Sequence, residues 1–134
     1  MTVDQFARKL RARQISAVEA TDDCISRIRA DNPRLNAFIL VMADQARQQA
    51  LEADRELAAG LDRGPLQGVP VSIKDLFDVV GTPTTAASRV REKHIAHRDA
   101  AAISRLRAAG AVLIGKTNLH EFAFGTTKIG RAHV

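Results

Sequence analysis

Lys74 is the residue in this sequence best placed to do chemistry. It ends a strand-like run, Val69 to Ile73, and has Ile73 and Leu76 as flanking neighbours. Apolar surroundings disfavour the charged form of an amine. A lysine held neutral can act as a general base. The competing reading is structural: Lys74 forms an ion pair with Asp75 or Asp78 at the strand end. The residues alone leave both open.

Other constellations carry less. His94 and His97 are spaced HxxH, and His120 precedes Glu121. A metal site needs three or four converging ligands, and two spaced histidines do not supply them. These are read as surface histidines, with no metal. Gly110, Gly115, Lys116 and Thr117 satisfy the GxxxxGKT spacing of a phosphate loop. The apolar residues Val112 to Ile114, however, put the strand between the two glycines, where a phosphate loop follows its strand. A turn at 115–118 is the preferred reading, and a nucleotide-binding α/β module the alternative.

The elements that must position Lys74 follow from pattern. Thr2 or Asp4 caps a first helix with Val3, Phe6, Ala7 and Leu10 on one face. Ser16 and Glu19 form a capping box for a second helix, running to about Ala30. Its apolar side is Val18, Cys24, Ile25 and Ile28, and Asn32-Pro33 is expected to end it. Residues 37–41 read as a short buried strand, and 43–59 as a long helix closed by Gly60. From Gly64 the turn residues Gly64, Pro65, Gly68, Pro70, Gly81 and Pro83 punctuate an apolar stretch, as in a segment that shapes a site. A helix over 99–109 with Ala102, Ile103 and Leu106 inward precedes the next strand, and another helix is expected at about 119–124. The alternation is that of an α/β protein.

Composition excludes several classes. At 46% hydrophobic and 26% charged, the 134 residues suit one soluble globular domain at most. The net charge of +5 is spread, from Arg8, Lys9, Arg11 and Arg13 to Arg105 and Arg107. No continuous basic face with aromatic partners emerges, so a nucleic-acid partner is not expected. Cys24 is the only cysteine, so no internal disulfide forms, as suits a reducing compartment. It reads as a small buried apolar residue rather than a reactive thiol. No apolar run reaches the ~20 residues of a membrane span, and the first residues lack a signal-peptide core. A cytoplasmic protein is expected.

Two blocks, GPLQGVPVSIKDLFDVVGTPTTAAS and DAAAISRLRAAGAVLIGKTNLHEFAFGTT, resemble the amidase-signature family in order and spacing. The resemblance runs from about residue 2 to Thr127. It implies the N-terminal part of a truncated α/β/α fold, a mixed sheet between helical layers. It also implies an amide-bond hydrolase with a Ser–cis-Ser–Lys triad, no cofactor, and a small-molecule amide as substrate. The family lysine falls in the segment matched by SIKD, which assigns the role to Lys74. Phe124, Gly125 and Thr126 resemble a wall of the substrate pocket. The family's two serines lie in a Ser/Gly-rich loop that this sequence does not contain. Ser88 and Ser104 do not match them, so the chain is expected to be inactive alone. The A component of a glutamyl-tRNA amidotransferase, with ammonia as acceptor, is the runner-up within the class.

Residues 1–127 are thus read as the family segment, and 128–134 as a foreign tail. KIGRAHV is the translation of AAG ATC GGA AGA GCA CAC GTC, a string used as a sequencing adapter, with TGA as the next triplet. Read-through from a gene into adapter is the expectation, and a natural terminus the alternative. Without Lys128 and Arg131 the charge falls by two, from +5 to +3.

Overall fold

A computed structural model describes residues 1–125. Helix α1 spans Val3–Arg11, α2 Ala17–Leu35, α3 Ala43–Ala58 and α4 Ala101–Ala108; strands are β1 Phe38–Val41, β2 Pro70–Lys74 and β3 Val112–Thr117. The strand order is β1-β3-β2, with β1 antiparallel and β2 parallel to β3. The sheet is therefore mixed, as the resemblance implies.

The apolar side chains of β3 alternate between two faces, as strand geometry requires. Val112 and Ile114 join a cluster with Phe6, Leu10, Ile25 and the α3 stripe Ala46, Ala50 and Ala53. Leu113 joins Met42, Ile73, Val79 and Ile103 on the other side. Helices α1–α3 thus cover one face and α4 the other. The alanine stripe, at i, i+4 and i+7, lets α3 pack close to its neighbours.

The helix starts follow their capping residues. Thr2 and Gln5 form one capping box, and Ser16 and Glu19 another. The Asp54 carboxylate on α3 accepts the Ala17 and Val18 N–H groups at 2.8 and 3.1 Å, tying the start of α2 to its neighbour. Val3 is exposed, so the buried face of α1 is Phe6, Ala7 and Leu10. Cys24 is half-buried against the core, and that burial pushes its thiol up from the ordinary value.

Several sequence expectations need correction. Helix α2 does not end before Pro33; it runs through it to Leu35, with Asn36 left-handed as the C-cap. The Asn32 amide pairs reciprocally with the Phe38 backbone, donating to its carbonyl at 3.0 Å and accepting its N–H at 2.8 Å. This clasp offsets the backbone bond that proline removes. Helix α4 begins at Ala101, because Asp99 accepts the Val80 N–H at 2.7 Å and Arg107 Nε at 2.8 Å instead of capping its own helix. Ala102 is exposed on it, while Ile103 is buried.

The turn expected at 115–118 is strand as far as Thr117. Gly115 lies where β1 crosses closely; a Cβ there would collide with the Leu40 carbonyl oxygen. The glycine serves strand approach, which removes the basis for a phosphate loop. The helix expected at 119–124 is a single 3₁₀ turn, Glu121–Ala123, in which Phe122 has φ 50°. The Phe122 N–H bonds to Ala86 O at 2.9 Å, diverting the backbone from a helical ladder.

Candidate active site

Strand β2 delivers Lys74 to the point where the chain leaves the sheet. Lys74 pairs in register with Thr117 of β3. Its carbonyl then accepts the N–H groups of both Leu76 and Phe77, at 2.7 and 3.1 Å, closing a tight turn. The Lys74 side chain is exposed, and among the described residues its amine has no hydrogen-bond or ion-pair partner. The desolvation expected from Ile73 and Leu76 is therefore absent from this part of the molecule. Ile73 points to the opposite side, into the Met42 and Leu113 cluster, and Leu76 is itself 39% exposed.

The ion pair weighed for Lys74 is made by another lysine. Lys116, on β3, is wholly buried, and its Nζ lies 2.7 Å from Asp75 Oδ1. It also donates to Pro83 O at 3.0 Å and Thr84 Oγ1 at 3.2 Å. The Lys116 amine thus makes two hydrogen bonds and one ion contact, and Asp75 Oδ1, buried, accepts no hydrogen bond among the described residues. The other Asp75 oxygen accepts from the N–H and hydroxyl of Thr85. The Asp75 N–H donates to Thr117 O and its carbonyl accepts from Ala86 N–H, both at 3.0 Å. Removing one member of such a pair strands a buried charge and costs about 3–5 kcal/mol. The loop that this pair anchors holds Ala86 and Ala87 at φ 52° and 53°, conformations that cost a non-glycine residue energy.

Sequence reasoning missed Lys116 and Asp75 as a pair. The signal was present: a lysine inside the fully buried run of β3 must have an acid opposite it, and Asp75 and Asp78 are the acids beside the parallel strand. Ser88 is buried and Ser104 lies exposed on α4, and among the described residues neither is hydrogen-bonded to Lys74. Phe124 is 92% exposed and Gly125 exposed, while Thr126 lies outside the described residues, as does the 128–134 tail. His94 and His97 are exposed. Among the described residues, no group of three or more His, Cys, Asp or Glu could hold a metal ion. No described helix is long and apolar enough to cross a membrane.

Comparison with known proteins shows the family. The Amidase family model matches residues 19–129, a span that includes Lys74, Asp75 and Lys116. The chain belongs to the amidase family. This amidase segment is 46% identical over 125 residues to an amidase of Pseudomonas putida, covering 93% of the chain and 26% of that protein. It is 46% identical over 127 residues to the A component of the glutamyl-tRNA(Gln) amidotransferase of Geotalea daltonii, covering 95% and 26%. Its fold matches the peptide amidase of Stenotrophomonas maltophilia with TM-score 0.85 and 36% identity, over 91% of this chain and 25% of that one. The segment thus spans about a quarter of the length of these relatives.

Proposed function

We propose that this segment supplies the general base of an amide-bond hydrolase, and that Lys74 is that base. The observation that carries the reading is the setting of Lys74. Its backbone is pinned at a strand end, while its amine stands exposed and unpaired among the described residues. A base must be fixed in place yet have a lone pair for the incoming proton. Lys116, by contrast, is wholly buried, bonded to Pro83 O and Thr84 Oγ1 and paired with Asp75, and so is closed off from a substrate.

In the proposed reaction the neutral Lys74 amine takes a proton from a bridging serine. That serine takes one from the nucleophilic serine, which attacks the amide carbonyl. The acyl-enzyme is then opened by water. Both serines belong to sequence beyond these 134 residues, and so does the cover that would desolvate Lys74. The 134-residue polypeptide alone is accordingly proposed to be inactive. Phe124, with Gly125 and Thr126, would form one wall of the acyl pocket; the exposure of Phe124 leaves it open to a substrate. A location in the cytoplasm fits the lone, half-buried Cys24.

The test is Lys74→Ala in the full-length enzyme that carries this segment. The expected result is a fall in kcat of roughly 10²- to 10⁴-fold, the worth of general-base assistance, with the melting temperature unmoved. Undiminished amide hydrolysis would reject Lys74 as the base. A second reading, with ammonia as acceptor, is favoured by the equally similar amidotransferase component of Geotalea daltonii. Formation of glutaminyl-tRNA from the glutamyl form, in place of simple amide hydrolysis, would select it.

A further inference from the structure

We propose that Lys116 is a positioning residue for the Lys74 base, acting through Asp75 rather than on the substrate. The inference rests on the assignment of Lys74. Lys116 reaches from β3 to the residue directly after Lys74, contacting Asp75 Oδ1 at 2.7 Å. It holds the following loop at the same time, through Pro83 O and Thr84 Oγ1. Asp75 extends the grip to Thr85 through its second oxygen. On the other side, the Lys74 carbonyl is fixed by two N–H groups and the Asp75 N–H by Thr117 O. The peptide unit that follows Lys74 is therefore held on both its carbonyl and its N–H, while the Lys74 side chain remains free among the described residues.

Stability alone does not call for this arrangement. Well-packed apolar residues of similar volume often replace a buried ion pair with no loss or with a gain. What apolar residues lack is direction. The Lys116 amine ties β3 to two other regions, Asp75 at the end of β2 and the loop at Pro83 and Thr84, and Asp75 extends the tie to the turn with strained Ala86 and Ala87. Strain of that kind persists only where the surroundings over-determine it, and it clusters at functional sites.

A mutant cycle in the full-length enzyme separates positioning from general support. The paired substitution Lys116→Met with Asp75→Asn removes both charges and keeps their volumes. The expected result is a fall in kcat of about 10- to 100-fold, the scale of a misplacement near 1 Å, with KM within about 3-fold of the parent. In the Lys74→Ala background the same pair of substitutions should cost nothing further, because the group it positions is gone. Equal fractional losses of kcat per folded molecule in both backgrounds would overturn the proposal, and so would an unchanged kcat in the parent. Should the paired variant not fold, Thr84→Val removes one acceptor and leaves the ion pair intact. A smaller kcat loss that vanishes in the Lys74→Ala background supports positioning, and one that persists there overturns it. Full activity of Lys74→Ala itself would instead refute the base assignment.

Discussion

Lys74 and Asp75 are adjacent in sequence, yet one faces solvent and the other the interior. Lys74 is the last residue of β2, and Asp75 is the first of the turn that carries the chain inward toward Lys116. The strand-end place of Lys74 could be read from its neighbours, while the partner of Lys116 could be found only by asking which acid meets a lysine inside a buried strand. Other charged residues act locally. Asp62 accepts from Arg11 Nε at 2.7 Å and from the Gly64 N–H at 2.8 Å, and its carboxyl is lowered from 3.8 to about 2, chiefly by the Arg11 bond. A carboxyl with a depressed folded value stabilises the fold above its ordinary range and loses that contribution as pH falls. The loss should therefore run from about pH 4 down to about pH 2. Asp62→Asn in the complete enzyme should flatten the decline of melting temperature over that interval. An identical decline in parent and variant would show that the contact contributes nothing, as exposed pairs often do.

At the scale of elements, two joints carry more than their size suggests. The Asn32 clasp satisfies both backbone groups of Phe38. Asn32→Ala should cost about 1–3 kcal/mol, the penalty for leaving such groups unpaired, as read by urea denaturation of the complete enzyme. A loss under about 0.5 kcal/mol, typical of surface changes, would mean that α2 does not need the clasp to pass Pro33. Gly115→Ala should cost about 1–3 kcal/mol from overpacking, with the disturbance localised to the β1–β3 crossing by amide exchange. Unchanged protection of β1 would contradict the close approach seen at Leu40. These joints also show what the sequence could convey. Caps at Thr2 and Ser16, the strand before Lys74 and the Ala-rich α3 depend on nearby residues, and each was readable. The passage of α2 through Pro33 depends on Phe38, the start of α4 on Val80, and the extension of β3 on Leu40. None of these partners is visible to local periodicity, and the 3₁₀ turn at 121–123 answers to Ala86, still further away.

The whole molecule is a sheet whose two outer strands each bond to β3 alone, among the described residues. The outer edges of β2, and of β1 beyond the Phe38 that Asn32 clasps, are thus templates for another chain. Leu76, Phe77, Val80 and Phe122 are each 39% exposed or more. Burial worth ~25 cal/mol per Å² is forgone at such surfaces, against a total margin of only ~5–15 kcal/mol. Residues 1–127 expressed alone should therefore associate or melt without cooperativity. Size exclusion and thermal denaturation check this; a monomer with one sharp transition above ~45 °C, as for ordinary mesophile domains, would show an autonomous domain. The order β1-β3-β2 has a consequence for synthesis as well. The central strand is the last of the three to be made, and β1 has no neighbour until it arrives. At ~5–20 residues per second, β1 waits on the order of 4–15 s after leaving the ribosome before its partner follows. During that interval α2 and α3 can dock on each other, but the strand between them is a loose ribbon, open to capture by a chaperone or by another nascent chain.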